Sequence, residues 1–271
     1  MTLLPIADRE LRVAARKRST FWLRLVAALV ALTLGSGFLV LSLLFGKGVV
    51  QLGGGLFSTL TWLSLAVALG AGLFFTSDSL SEEKREGTLG LLFLTDLRGY
   101  DVVLGKLLAT SLRGGYALLA IFPVLAITFL LGGVTGGQFW RTVLAIVNAL
   151  FFSLALGLFV STFSRDSQRA LAGTLGLLVV FLAAGPLADA GIAEARGRAF
   201  APLWSLASPG FAFVEAGSSR GRFWSALGVN QLCAWLLLAW ASWRAPRAWQ
   251  DKPAQLSPQR LRWEHWWKYG G

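Results

Sequence analysis

The charged residues that could take part in chemistry are concentrated in residues 79–106, which read SLSEEKREGTLGLLFLTDLRGYDVVLGK. The end of this stretch, with Gly99, Gly105 and Lys106, superficially fits a phosphate-binding loop. Such a loop needs Gly-x-x-x-x-Gly-Lys-[Ser/Thr]. Here the two glycines are one residue too far apart and Leu107 follows the lysine. The sequence therefore does not predict a nucleotide site of this kind.

Hydrolytic and metal chemistry have few candidate residues. The chain has one histidine, His265, and one cysteine, Cys233. A lone histidine cannot build a metal site, and no histidine or acidic residue lies in the apolar runs to assemble a hydrolytic dyad there. A lone cysteine cannot form an internal disulfide. We therefore expect no catalytic residue, metal or cofactor in this chain, and predict that it is not an enzyme.

Ion-coupled transport would need polar groups inside the membrane. The long apolar runs carry Arg113, Asn148, Asn230, Gln231 and hydroxyl groups, but no carboxylate. Proton coupling normally uses buried carboxylates, so it is poorly supported here. A sodium site made from hydroxyls and carbonyls stays open.

The composition predicts the solvent that must surround these residues. The 271-residue chain is 55% hydrophobic and only 14% charged, with a mean hydropathy of +0.62. Soluble domains are about 25% charged, so we predict an all-α integral membrane protein. The net charge of +11 is explained by basic residues that flank membrane spans and meet anionic lipid, and we expect no nucleic-acid partner.

Six charge-free runs approach the length of about 20 residues that a membrane-spanning helix needs. We expect the second helix to begin near Leu56, because residues 51–55 include three glycines and resemble a loop. We expect the third to begin near Val102, with Lys106 and Arg113 extending back to the membrane surface. The six runs are 25–46, 49–77, 114–131, 142–164, 170–188 and 223–243.

The distribution of basic residues predicts the orientation. If the N-terminus is cytoplasmic, most of the 25 lysines and arginines fall on the cytoplasmic side, as the positive-inside rule requires. The predicted protein is therefore a multi-pass protein of the cell (inner) membrane with both termini in the cytoplasm. Its parts are an entry helix over 1–21, a six-span domain over 22–245 and a cytoplasmic tryptophan-rich tail over 246–271.

The entry segment has an amphipathic pattern. Leu4, Leu11, Ala15 and Trp22 share one helical face. The basic residues lie on the opposite side, which is typical of a helix lying in the plane of the lipid headgroups. A solvated basic tail is the alternative. The residues that we assign to this interfacial helix are Arg9, Arg12, Arg16 and Trp22.

A ladder of small side chains recurs every four residues along the fourth run. Such a ladder lets another helix approach closely, either within the chain or from a second subunit. The sequence does not choose between them. Its members are Ala145, Ala149, Ser153, Gly157 and Ser161.

Two further segments lie outside the runs. Residues 202–206 and 210–213, in the predicted outer segment 189–222, are apolar enough for short helices that dip into the outer interface, although an ordered loop is nearly as well supported. In the tail, three tryptophans alternate with basic residues, which suits attachment to the inner membrane surface. The abrupt end of this tail leaves open a longer natural protein.

The charged stretch also has a specific resemblance. Residues 82–89, EEKREGTL, precede a leucine-rich piece, and Gly105-Lys106-Leu107 enters the third span. This order resembles the intracellular signature of type 2 ABC exporter permeases. The basic entry segment and the six spans fit that family over residues 5–245. One departure is Thr95-Asp96-Leu97, where members of the family often have Thr-Pro-Leu.

The resemblance implies a function and partners. Such a chain is the membrane permease subunit of an ATP-driven exporter, and it pairs with a second permease subunit in a homodimer or heterodimer. A separate ABC ATPase binds ATP and magnesium. A cytoplasmic coupling helix between spans 2 and 3 receives the movement of that ATPase, and the resemblance assigns it to Glu82, Glu83, Arg85, Glu86, Gly87 and Thr88.

Two other classes of function remain open from the sequence. A stand-alone channel or secondary transporter would use the same spans without an ATPase. A membrane scaffold would recruit proteins through the charged stretch and the tail. Taken without the Gly-Thr-Leu that follows it, the charged run is equally typical of a solvated helix with internal ion pairs.

Overall fold

The computed structural model of the chain describes residues 49–86, 98–130, 132–164, 166–197, 200–218 and 221–248, with a few single positions between 25 and 44. The predicted entry helix, most of the first predicted span and most of the tail lie outside these residues. The following description concerns the described part of the chain.

All regular structure in the described residues is helical, as predicted for an all-α protein. A π-helical turn, Gly72–Thr76, follows α1, and a 3-10 turn, Ser205–Ala207, precedes α6. The α-helices are α1 Val49–Ala71, α2 Ser79–Glu86, α3 Gly99–Leu130, α4 Gly136–Phe163, α5 Ser167–Arg196, α6 Pro209–Gly217 and α7 Phe223–Ala248.

Five of these helical segments are long and apolar enough to cross a membrane. They correspond to the second through sixth predicted runs, while the first run lies largely outside the described residues. The count of six spans therefore stays a prediction. The five segments are Gly53–Ser81, Gly99–Leu130, Gly136–Phe163, Ser167–Arg196 and Phe223–Arg247.

Two predicted boundaries are wrong. Residues 51–55 are helical, because a segment at the membrane gains more by satisfying its backbone hydrogen bonds than it loses to glycine, at about 1 kcal/mol per residue. The fifth span does not end at Ala188 but continues through α5 to Arg196. Its extension buries Asp189, whose partners come from the next segment.

The short outer helices exist. Ser208 is the N-cap of α6, its hydroxyl accepts from the Phe211 amide, and Pro209 occupies the first turn, where a missing N–H costs nothing. Upstream, the buried Asp189 carboxylate accepts hydrogen bonds from the amides of Leu203 and Ser205 at 2.8 Å each. This carboxylate holds the connection between α5 and α6 in place.

Helix α4 is the centre of the molecule. It packs against α1, α3, α5, α6 and α7, and Phe152, Leu154, Leu156 and Leu158 are fully buried. Helix α5 instead turns most of its surface outward. Helix α4 therefore contacts every other span in the described part of the chain, although α3 also packs directly against α1 and α7.

Candidate functional site

The charged helix α2 arises directly from the span before it. The π-helical turn Gly72–Thr76 inserts one extra residue, and its end is marked by the Ser77 amide, which donates to the Gly72 carbonyl at 3.1 Å. Such an insertion changes the direction in which the following residues face. The π-helical turn at the end of α1 thus sets the direction of the charged residues of α2, and the charge pattern of the sequence does not reveal this turn.

Ser161 of α4 caps the N-terminus of α2. The first amides of a helix have no partner within the helix, and a hydroxyl just before it usually accepts from them. Here the Ser161 hydroxyl accepts from the amides of Leu80 at 2.9 Å and Ser81 at 3.0 Å. The cap comes from a residue about 80 positions away in the chain. The N-terminus of α2 is therefore stabilised by its contact with α4.

Lys84 of α2 in turn caps the C-terminus of α4. Its Nζ lies 3.5 Å from the carbonyl oxygens of Ser161 and Ser164 and also donates to the carbonyl of Thr162. A cation at the last carbonyls of a helix satisfies them and is favoured by the helix dipole. The two helices therefore cap each other.

Lys106 attaches α3 to the same place. Its Nζ donates to the Ser79 carbonyl at 2.8 Å and forms an ion pair with Glu83 Oε1 at 3.0 Å. Lys106 is only 8% exposed and finds both partners on α2, while its extension to the membrane surface stays a prediction. We call α2 together with Lys106 and residues 161–164 the α2 junction.

The predicted site residues fall into three groups. Glu83 is in the junction, bound to Lys106. Glu82, Arg85 and Glu86 are positions of α2 whose side chains lie outside the described part. Those wholly outside the described residues are Gly87, Thr88, Arg9, Arg12, Arg16 and Trp22.

The ladder of small residues faces α1 and its π-helical turn within this chain. Ala149, Ser153 and Ser161 are fully buried, and the Ser153 hydroxyl donates to the Ala68 carbonyl at 2.6 Å. A Cβ added to Gly157 would lie 2.1 Å from Thr76 Oγ1, and one added to Gly72 would lie 1.9 Å from the Ser153 carbonyl oxygen. Both positions need glycine because the two backbones nearly touch.

Sequence reasoning missed the residues that hold the junction together. Lys84 was passed over among its charged neighbours, and Ser161 was assigned only to helix packing. One signal was present: Leu80, Ser81 and Lys84 share a helical face, which predicts that this side of α2 meets another element. No local pattern identifies that element as the end of α4.

The polar groups of the α2 junction connect helices to one another. Its two lysines donate to carbonyls or to Glu83, and no group of three or more histidine, cysteine, aspartate or glutamate residues in the described ranges could hold a metal ion. At 100° per residue, positions 82 and 86 lie on the side of α2 away from its buried face, Leu80 and Ser81.

Comparisons with known proteins agree with the resemblance of the charged stretch. A family model described as ABC-2 family transporter protein matches residues 4–221. The matched part includes the whole α2 junction and ends just before α7. The comparison with individual curated proteins gave no match.

Proposed function

The chain belongs to the ABC-2 family of transporter proteins, and from that premise we propose that it is the permease subunit of an ATP-driven exporter whose ATPase is a separate chain. The family and the fold make this chain a multi-pass membrane permease of an ABC transporter. The proposed coupling to a separate ATPase is supported by the α2 junction.

The observation that carries the proposal is that three spans meet at one short charged helix. Helix α2 is continuous with α1 through the π-helical turn, is capped by Ser161 of α4 and is paired with Lys106 of α3. A displacement of α2 therefore has to displace all three spans or break buried polar contacts. This is what a coupling element must do.

The proposed partners follow from the charges. The outward positions 82 and 86 are glutamates, and charged groups at the rim of an interface orient a soluble partner more than they add affinity. In this proposal an ABC ATPase binds there and holds ATP and magnesium, while this chain holds neither. A second permease subunit, identical or related, completes the transporter in the cell membrane, with both termini cytoplasmic.

The partnership is tested by purification. The full chain, extracted from its native membrane in a mild detergent, should bring with it an ATPase that carries a phosphate-binding loop. Mass spectrometry identifies the companion. If repeated purifications contain the intact permease and no ATPase, a stand-alone channel or secondary transporter becomes the better assignment.

The site is tested by reversing a charge. Glu86→Lys should weaken binding of the ATPase to the permease roughly tenfold, since it places a cation where the proposal needs an anion. Glu194→Lys, at an exposed position near the end of α5, makes the same change of charge and is the control. Equal binding by both variants and the unchanged protein would remove Glu86 from the interface. Glu83→Lys is less informative, because it also breaks the pair with Lys106.

A further inference from the structure

Arg113 lies deep within a membrane span. Lys106, seven residues earlier in α3, is level with the end of the preceding span, since it donates to the Ser79 carbonyl. At 1.5 Å per residue, Arg113 is about 10 Å further into the bilayer. A charged residue at such a depth is costly, so it normally has a partner or a function.

No partner for Arg113 is found in the described residues. Its Nε is buried without a hydrogen bond. The sequence has no acidic residue between Asp101 and Asp166, nor between Glu215 and Asp251. Neither α4 nor α7, which pack against α3, can therefore place a carboxylate at this depth, and Asp101 is about 18 Å away along the helix. The anion for Arg113 has to come from elsewhere.

A network of amides lies between α4 and α7. Asn230 Nδ2 donates to Asn148 Oδ1, and Asn148 Nδ2 donates to Gln231 Oε1 at 2.7 Å. Both hydrogen bonds run in the same direction, from Asn230 through Asn148 to Gln231. Such a chain of hydrogen bonds polarises the amide group of Gln231. With the amides oriented as in these two bonds, Gln231 Nε2 has no hydrogen bond within the described part of the chain, so the network ends in a donor with no acceptor there.

The helix register brings this donor and Arg113 to the same seam. Gly99 of α3 lies against α7, where an added Cβ would be 2.2 Å from the Ser242 carbonyl oxygen. Arg113 is about 21 Å further along α3 and within about 40° of the face of Gly99. Gln231 is about 17 Å back along α7 and within about 20° of the face of Ser242. On this register both residues lie on the sides of α3 and α7 that meet at Gly99 and Ser242, and their distances from that contact differ by about one helical turn.

We propose that Arg113 and Gln231 form an intramembrane binding site for an anionic oxygen group, a phosphate or carboxylate, carried on an apolar chain. A guanidinium and an amide N–H are both donors, so the group between them must be an acceptor, and the cation requires it to be negative. Leu112, beside Arg113, and Leu232, beside Gln231, are exposed apolar side chains within the described part of the chain. The ligand thus enters from the bilayer with its chain in lipid. This deepens the proposed function by naming the class of cargo, and it rests on that function only in calling the ligand cargo.

The binding test uses the full chain in dodecyl maltoside, an uncharged detergent. Dodecyl phosphate is the probe, dodecanol supplies the same chain without charge, and inorganic phosphate supplies the charge without a chain. We expect dodecyl phosphate to raise the melting temperature and to bind at least tenfold more tightly than it binds to Arg113→Gln. Arg113→Lys should retain part of the affinity. Arg196→Gln, at an exposed position in the last turn of α5, removes the same charge and should bind like the unchanged protein.

A second variant and a stability measurement distinguish loss of binding from loss of folding. Gln231→Leu keeps the Arg113 charge and should lose three- to tenfold in affinity for dodecyl phosphate. Arg113→Gln without ligand should melt at the same or a higher temperature than the unchanged protein, since it removes a partly buried cation whose Nε has no hydrogen-bond partner. Equal affinity of Arg113→Gln and the unchanged protein, or equal stabilisation by dodecanol, would overturn the site.

The ligand could be transported cargo or a resident membrane lipid, and two further measurements distinguish these sources. If the ligand is cargo, dodecyl phosphate stimulates ATP hydrolysis by the permease–ATPase complex, and Arg113→Gln abolishes that stimulation. If it is a resident lipid, an anionic phospholipid co-purifies with the unchanged chain and not with Arg113→Gln. Both results support the site. A purification without an ATPase would count against the proposed exporter but would leave the binding result standing.

Discussion

At the level of single residues, Ser161 supplies what α2 cannot supply for itself. A helix of eight residues is too short to be stable alone in water, because too few hydrogen bonds offset the cost of starting it. The Ser161 hydroxyl accepts from two of its first amides. The stability of α2 therefore belongs to its contact with α4.

Replacing Ser161 by alanine tests this directly. Loss of the acceptor should cost about 1–2 kcal/mol and let the amides of residues 79–86 exchange with solvent roughly tenfold faster in hydrogen–deuterium exchange. Ser242→Ala is the control, since that hydroxyl donates only to Leu238 in its own helix. Unchanged exchange in α2 after Ser161→Ala would show that the cap does not hold the helix.

The pair between Lys106 and Glu83 is the second residue-scale prediction. Lys106→Met should lower the free energy of unfolding by about 3 kcal/mol, because it removes one partner of a largely buried ion pair. The measurement is unfolding in mixed detergent micelles. The exposed pair of Arg169 with Asp166 is the control, and Arg169→Met should cost less than about 0.5 kcal/mol. Adding Glu83→Met to Lys106→Met should recover part of the loss, and no recovery would argue against the pair.

At the level of elements, the crossing of α1 over α4 is set by two glycines. A side chain at Gly157 or Gly72 would meet backbone or Thr76 within 2.5 Å, so neither helix could keep its position. This close approach lets Ser153 of α4 reach a carbonyl of α1. The π-helical turn is located at the same crossing.

Gly157→Ala should therefore destabilise the protein by about 1–3 kcal/mol, the usual range for overpacking a core. The measurement is the melting temperature in detergent. Gly176→Ala, on the outward side of α5 with nothing within 4 Å, should have almost no effect. Similar melting temperatures for the two variants would mean that α1 and α4 are not in close contact.

At the level of the whole molecule, the proposal is that α2 and the adjoining end of α4 move as one body. The Ser81 and Ser161 hydroxyl oxygens are 3.4 Å apart, a separation that a disulfide between cysteines can replace. In a Cys233→Ala background, which lacks the native cysteine, Ser81→Cys with Ser161→Cys should form this bond on oxidation.

If the two elements move together, the oxidised protein should support the same ATP-driven activity as the reduced protein, within about twofold. The reduced form of the same variant is the control, because it already lacks both hydroxyls. Activity that is lost on oxidation and restored by reduction would show that α2 slides over α4, and it would replace the rigid connection with a hinge.

Much of the architecture was predictable because it depends on local composition. Apolar length predicted the second through sixth spans, and the outer short helices followed from residues such as Phe211 and Phe213. The charged stretch and its Gly-Thr-Leu indicated the family, which the match over residues 4–221 shows. The predictions for the glycine run at 51–55 and for the end of the fifth span are wrong. In the first case backbone hydrogen bonding at the membrane outweighs the helix penalty of glycine, and in the second the partners of Asp189 lie in the next segment of the chain.

The sequence by itself determined which segments are apolar and long enough to cross a bilayer, because transfer free energy depends on each residue and its near neighbours. Only the tertiary structure decided which polar groups satisfy one another. Ser161 and Lys84 cap each other's helices across about 80 residues, and Lys106 turns inward to Glu83. Such pairs depend on how two helices are placed against each other and on a distance of about 3 Å, and the spacing of residues within each helix determines neither.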